Sequence, residues 1–298
     1  EMCARSVRTL DIVLTTLMRR DGAIPPNFVV TVPKITVLAQ VDYAVAMLGK
    51  LEEKLGLLRR SLRFEVMVET PQIIIGADGL SPLPLILARA DGRLAGAHFG
   101  TYDYTAGCNV TAAHQRMQHP ACNFAKEMMQ VAFAGTGVWL SDGSTTVMPV
   151  PLHRAAAGGP ALTASQDLEN RESVHHAWRL HFDDVTNSLV GGFYQGWDLH
   201  PAQLVSRYAA LYAFFLDGID AAGERLHNFV GKAAQATLVG DVFDDAATGQ
   251  GLLNFFLRGV NSGAITEEEV LRRTGLTAEE VGSRSFTYIL RSRAARRS

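Results

Sequence analysis

Polar residues that close short apolar runs recur at a nearly constant interval, and this interval constrains the fold more than any other feature. The runs are Phe28-Val-Val-Thr-Val-Pro-Lys34, Phe64-Glu-Val-Met-Val-Glu69, Leu94-Ala-Gly-Ala-His-Phe-Gly100 running on to Asp103, and Val138-Trp-Leu-Ser-Asp142. Lys34, Glu69, Asp103 and Asp142 stand 35, 34 and 39 positions apart. A strand, a helix and two connections fill such a distance. Runs that are apolar on both faces suit parallel strands buried by crossover helices.

The intervals carry the helices this reading needs. Val41, Val45, Leu48, Leu51, Leu55 and Leu58 recur at helical spacing. Ser81-Pro-Leu-Pro84 marks a helix start before Ile86 and Leu87, and Phe124, Met128, Val131 and Ala132 are expected on one helical face. Arg5 to Arg20 reads as one helix. A fifth run, Ser188-Leu-Val-Gly-Gly-Phe-Tyr, leads to Asp198-Leu-His-Pro201 and is expected to be a strand. The distance from Asp142 to His200 is 58 residues, one unit plus an insertion. Within it, Val147–Val150 is a candidate extra strand, Ala155–Pro160 a loop and 166–184 a helix. Residues 202–216 read as an amphipathic helix. Beyond about 220 the pattern is helical only, with turns expected around Gly240, Gly249 and Gly263. Thr266-Glu-Glu-Glu and Thr277-Ala-Glu-Glu are capped helix starts.

These elements predict an α/β protein with a parallel sheet, as in a (β/α)8 TIM barrel. The expected layout is a barrel domain over 1–220 with an insertion at 151–187, then a helical C-terminal extension over 221–298. Polar strand ends then gather at one face, where barrels of this kind place their chemistry. An open doubly wound sheet competes, but no strand end carries its GxGxxG turn. The 298 residues are 47% hydrophobic, enough for a large packed core, and the net charge of −2 provides no basic field for nucleic acid or anionic lipid. The expected partner is a small molecule, with no nucleic acid and no membrane, and with room for a homo-oligomer. Three separated cysteines without a CxxC pair argue against a disulfide or zinc scaffold and make the cytoplasm the default compartment. No apolar run approaches a bilayer span and no apolar leader is visible.

The candidate chemistry centres on Glu69 and Asp103. At the ends of neighbouring strands, about 4.8 Å apart, both carboxylates can reach one hard cation. Two carboxylates with waters and substrate oxygens form a common Mg²⁺ shell. Such an ion acts as a Lewis acid on a 2-oxo acid and stabilises its enolate. Spacing alone leaves an internal salt bridge equally open.

Four segments carry a resemblance to the HpcH/HpaI aldolase and citrate lyase beta subunit family, with which malate synthases share features. Val66-Met-Val-Glu69-Thr70 resembles its V-x-I-E-T strand, and Val32-Pro-Lys34-Ile its P-K-V/I strand. Phe99-Gly-Thr-Tyr-Asp103-Tyr is similar to its F-G-x-x-D segment and to the R-W-D-Y segment of malate synthases. Gly192-Phe-Tyr-Gln-Gly-Trp-Asp-Leu-His200-Pro-Ala-Gln203 is similar to its closing G-F-x-G-x-x-x-H-P-x-Q segment. The order is preserved across roughly 28–215. The resemblance implies a phosphoenolpyruvate/pyruvate-type barrel in which Glu69 and Asp103 bind Mg²⁺. It also implies carbon–carbon cleavage, or Claisen-type condensation, of a 2-oxo or 2-hydroxy acid or its CoA thioester. Counted back from the family's closing segment, the matched runs are strands four to eight, which implies a partial (β/α)8 TIM barrel; the family's first three strands, with a substrate-binding Arg and an acidic residue, have no counterpart here. An N-terminal part is therefore expected to be missing, and the chain starts with Glu1.

Lys34 is a candidate catalytic group that neutralises a substrate carboxylate or enolate, against an internal ion pair. Asp142 is a candidate for proton transfer, against a turn-forming Asp-Gly. Main-chain amides around Gly100, Thr101 and Tyr102 are expected to help bind the substrate carboxylate. His98 and His200 are secondary candidates. His175, His176 and His181 with Asp183 and Asp184 do not share one helical face, which disfavours a metal site. Gly135-Thr-Gly137 reads as a loop, Cys108 and Cys122 as structural thiols, and the basic tail from Arg291 as a solvated helix end. The leading expectation is a Mg²⁺-dependent lyase or aldolase. The alternatives are a malate synthase-like condensing enzyme, with Asp241, Asp244 and Asp245 as acidic groups of the tail, or a non-catalytic barrel relic.

Overall fold

The structure is a computed structural model that describes residues 2–236 and 246–296. The chain forms two compact units. The first comprises 1–148 with 190–201, and the second 149–189 with 202–298. The split expected at 220/221 falls inside one continuous helix, Leu204–Ala236, and the helix at 164–190 groups with the C-terminal residues rather than forming an insertion in the first unit.

The first unit opens with α1 (Met2–Asp21), the helix expected from Arg5 to Arg20, whose Leu14 is fully buried. A parallel sheet follows, with strands β1 (Val29–Val32), β2 (Arg63–Val68), β3 (Leu94–Phe99) and β4 (Trp139–Ser141) in that spatial order. Register pairs Thr31 with Glu65, Met67 with His98, and His98 with Ser141. Because side chains alternate across a strand, Phe64, Val66, Val68, Ala97 and Phe99 project to one face and are buried. The opposite face carries Thr31, Glu65, Met67, Glu69 and His98.

Helices between the strands cover the apolar face. α2 (Ala39–Leu55) buries Val41, Ala44, Leu48 and Leu51 and stops at Gly56, whose φ of 66° suits a residue without a Cβ. Leu58 lies beyond this helix and is exposed. α3 (Pro71–Ile74) and α4 (Leu83–Arg89) start at prolines, as Pro82-Leu-Pro84 suggests. α5 (Thr101–Gly107) leaves directly from β3. α6 (Pro120–Phe133) buries Cys122, Ala125, Met129 and Phe133, not the face expected from Phe124, Met128, Val131 and Ala132. Small residues at 122 and 125 let the backbone approach α3, α4 and α5, and Val131 is left 79% exposed.

The fifth strand is absent. Ser188–Val190 completes α7 (Ala164–Val190), because Val185, Ser188 and Leu189 continue its buried stripe. After it, residues 195–197 run beside the end of β4 through two backbone bonds, Asp142 N to Gln195 O at 2.9 Å and Trp197 N to Gly143 O at 3.2 Å. These are too few to make a strand. None forms at Val147–Val150 either, where Pro149 and Pro151 lack amides for a ladder.

The second unit is helical: α7, then α8 (Leu204–Ala236), α9 (Ala246–Asn261), α10 (Glu267–Thr274), α11 (Ala278–Gly282) and α12 (Phe286–Ala295). The Thr266 side chain caps α10, and Thr277 with Glu280 forms a full capping box on α11. Gly263 turns with φ 75°. Gly249, expected in a turn, lies inside α9, where a Cβ would come 2.3 Å from the Phe286 ring. Gly240, Asp241, Asp244 and Asp245 lie outside the described residues. No helix among the described residues is long and apolar enough to cross a membrane.

Candidate functional site

Glu69 and Asp103 come together where β2 and β3 end. Glu69 directly follows β2 and is 5% exposed. Asp103 sits in the first turn of α5 and is half exposed. Burial raises the Glu69 carboxyl above its usual range, and the adjacent Asp103 carboxylate adds to this, against a lowering from the Lys34 amide. Both acids meet Lys34, Glu69 at its amide and Asp103 at its ammonium, which places them around one residue.

The loop after β1 closes over this pair. The Lys34 amide donates to Glu69 Oε1 at 2.7 Å, and the Thr70 hydroxyl donates to the Ile35 carbonyl at 2.5 Å. Each half of the Glu69-Thr70 dipeptide thus grips the neighbouring loop. Lys34 has φ 51°, a left-handed conformation that costs a non-glycine residue about 1–3 kcal/mol. Its amide bond to Glu69 and the bond from Gln40 Nε2 to its carbonyl hold it there. Its ammonium lies 2.5 Å from Asp103 Oδ1, which raises the Lys34 pKa. This strained residue is aimed at the acidic pair by both its backbone and its side chain.

Gly100 is the steric condition for the site. Its amide donates to Val68 O at 3.0 Å, so the two strand ends abut. A Cβ at position 100 would stand 2.5 Å from Glu69 Cβ and 2.8 Å from Glu69 Oε2. Gly100→Ala is expected to displace the Glu69 carboxylate and to destabilise the fold by about 1–3 kcal/mol. Thermal unfolding alongside a Mg²⁺ titration checks both effects, and unchanged stability would show that the strand ends do not abut in this way.

The other expected residues make contacts of their own. The Tyr102 hydroxyl donates to Ser144 O at 3.0 Å and accepts from Thr146 N at 3.2 Å, which pins the segment after β4. The Thr101 hydroxyl is buried with no hydrogen-bond partner among the described residues, 2.6 Å from where a Cβ on Gly143 would stand. Asp142 is 1% exposed and accepts from Lys126 Nζ at 2.8 Å and from the Gly143 amide at 2.7 Å, so it is the counter-ion of a buried lysine. Burial pushes the Cys122 thiol up to about 12, consistent with an unreactive thiol. His181 is buried, its Nδ1 2.8 Å from Ser206 Oγ.

Sequence reasoning missed Thr70, Gln40 and Lys126 and, in the polar row below Glu69, Thr31 and Glu65, although His98 was a secondary candidate. There, Thr31 Oγ1 donates to Glu65 Oε1 at 2.7 Å, and His98 Nε2 lies 2.6 Å from Glu65 Oε2. The signal was the two-residue spacing, which puts Glu65 and Glu69 on one face of β2. Gln40 and Lys126 had no comparable signal.

No group of three or more His, Cys, Asp or Glu among the described residues is placed to hold a metal. The Glu69–Asp103 pair nevertheless fits a Mg²⁺ ion. Both donors are hard carboxylate oxygens, one half exposed, and their mutual repulsion favours a bound cation. Lys34 answers only part of that charge.

No curated protein matches the chain. A citrate lyase from Burkholderia xenovorans LB400 superposes with a TM-score of 0.53 at 17% identity, covering 82% of this chain and 67% of that one. The malate synthase of Haloferax volcanii in a pyruvate/acetyl-CoA ternary complex gives a TM-score of 0.40 at 17% identity, over 60% of this chain and 40% of that one. RipC from Yersinia pestis gives 0.39 at 16% identity, over 65% and 67%. The citrate lyase likeness is one of fold. The family described as Domain of unknown function (DUF6986) matches residues 1–289, and the chain belongs to that family.

Proposed function

We propose that this protein is a Mg²⁺-dependent carbon–carbon lyase or aldolase acting on a 2-oxo or 2-hydroxy acid, or on its CoA thioester. The observation that carries the reading is the convergence of Glu69 and Asp103 at adjacent strand ends under Lys34. Glu69 and Asp103 would hold the ion, which supplies Lewis-acid polarisation of substrate oxygens. Lys34 places an ammonium beside the pair, where it can neutralise a substrate carboxylate. First-turn amides of α5, which lack intrahelical acceptors, lie next to Asp103. The fold shared with a citrate lyase supports this class of chemistry.

The test is an assay of the purified chain against oxaloacetate, malate and citramalate, with and without CoA, in Mg²⁺ and in EDTA. Metal-dependent cleavage supports the reading. Condensation of acetyl-CoA with glyoxylate instead would favour the malate synthase-like alternative, and neither binding nor turnover would leave a barrel relic. Lys34→Met adds a finer test. Removing the ammonium from Asp103 is expected to tighten Mg²⁺ binding several-fold, because a competing cation is gone, while turnover falls. Weaker Mg²⁺ binding in this variant would count against a cation site at the pair.

A further inference from the structure

The sheet face that bears Glu69 holds a second group of chemistry-bearing side chains, with a defined internal order. Along β3 and the residue that follows it, positions 96, 98 and 100 share this face, and two of them are glycines. His98 is therefore the one side chain that β3 contributes between Gly96 and Gly100. Glu65 leans over the first gap, 3.6 Å from where a Cβ on Gly96 would stand, and Glu69 fills the second. The His98 imidazole is 13% exposed, and Trp197 packs against it with ring centroids 5.3 Å apart. Its Nε2 meets Glu65 Oε2 at 2.6 Å, while the other Glu65 oxygen accepts from the Thr31 hydroxyl. Both ring nitrogens are buried and neither has a hydrogen-bond partner among the described residues, the Nε2–Glu65 approach being an ion-pair contact outside hydrogen-bond geometry.

A carboxylate oxygen this close to Nε2 electrostatically favours the tautomer with its proton on that side and leaves Nδ1 with its lone pair. Buried nitrogens are rarely left without a partner unless a ligand supplies one. His98 is two residues from Gly100, about 6.6 Å along a strand, so a small acid at the Glu69–Asp103 pair lies within reach. We propose that His98, oriented and charge-balanced by Glu65, is the proton-transfer base for a 2-oxo acid held at that pair. This rests on the function proposed above. The C3–H bond of the acid breaks towards Nδ1, its electron pair forms the C2–C3 double bond, and the carbonyl π pair moves to oxygen. The proton on Nδ1 exchanges with solvent and a solvent-derived proton is delivered from Nδ1 to C3, which regenerates the neutral imidazole, so no oxidant or reductant is consumed. Glu65 acts through His98 and is a positioning residue.

The experiment uses the full chain with pyruvate and Mg²⁺ in D₂O. Proton NMR follows loss of the methyl signal, and calorimetry follows pyruvate binding. The wild type is expected to exchange. His98→Ala, and His98→Gln as a variant that better preserves packing, should slow exchange by about 100-fold or more with binding unchanged. Added imidazole should restore exchange to His98→Ala, which a merely structural role would not allow. Glu65→Gln should slow exchange less. Exchange at the wild-type rate in folded His98 variants that still bind pyruvate would overturn the dyad and leave the lyase reading standing. A wild type that binds no pyruvate with Mg²⁺ would overturn both.

Discussion

Glu69→Gln is expected to lower Mg²⁺-dependent turnover by about 100-fold or more while making the protein slightly more stable. The amide keeps an oxygen for the Lys34 N–H, so the loop after β1 stays in place. What disappears is a negative charge that burial and Asp103 both disfavour. A carboxyl whose folded-state pKa is raised costs stability at neutral pH, because the ionised form is less favoured in the folded chain than in the unfolded one. Removing it should therefore gain about 0.5–2 kcal/mol. Losing one of two hard donors forfeits several kcal/mol of Lewis-acid stabilisation, hence the expected loss in rate. Asp103→Asn should lose activity similarly but change stability little, since the Lys34–Asp103 pair is exposed to solvent. Thermal unfolding and turnover on the same samples check the account. A Glu69→Gln protein that is active, or markedly destabilised, would make this carboxylate a structural group.

Arg93→Met is expected to destabilise the first unit by about 3–5 kcal/mol, the largest stability effect anticipated here. Arg93 and Glu52 are each 2% exposed and meet through two contacts, at 2.5 and 2.8 Å. Glu52 also accepts the amides of Arg60 and Leu62 at 3.0 and 2.8 Å, tying α2 to the start of β2. The substitution keeps much of the stem volume but leaves a buried carboxylate without its counter-ion. Burial pushes the Glu52 pKa up, yet Arg93 and the two amides outweigh it and hold the carboxyl below the ordinary glutamate value. The stability this provides is fully present above that value and is lost as pH falls through the folded-state pKa. Urea unfolding at pH 7 and at pH 3 tests both points. The variant should lose less stability on acidification than the wild type, and equal losses would show that Glu52 is not the group involved.

The parallel strand–helix order was legible because fully buried strands leave continuous apolar runs, and each ended in a polar residue at a repeated interval. Glu69, Asp103 and Lys34 could be singled out for the same reason. That Glu69 and Asp103 could meet followed from their places at neighbouring strand ends; the contact of each with Lys34 did not, because the left-handed turn at Lys34 depends on bonds from Gln40 and Glu69 that leave no local pattern. The expectation of a strand at Ser188–Tyr194 went astray because Ser188, Leu189 and Val190 suit a strand by propensity yet complete the buried stripe of a 27-residue helix. The face of α6 was misplaced because Phe124 and Val131 look like core residues, whereas the close approach is made by Cys122 and Ala125. Glu65 was readable from the two-residue period of β2, but its partner His98 required the register between β2 and β3.

The central claim is that Glu69 and Asp103 jointly hold one divalent ion, and a binding titration tests it without any knowledge of the substrate. Mg²⁺ calorimetry, or Mn²⁺ followed by electron paramagnetic resonance, is performed on the wild type, Glu69→Gln and Asp103→Asn. The account predicts uptake of a single ion per chain by the wild type, with affinity lowered about tenfold or more in each variant, as loss of one charged oxygen ligand requires. Equal affinity in all three proteins, or no uptake by the wild type, would contradict it.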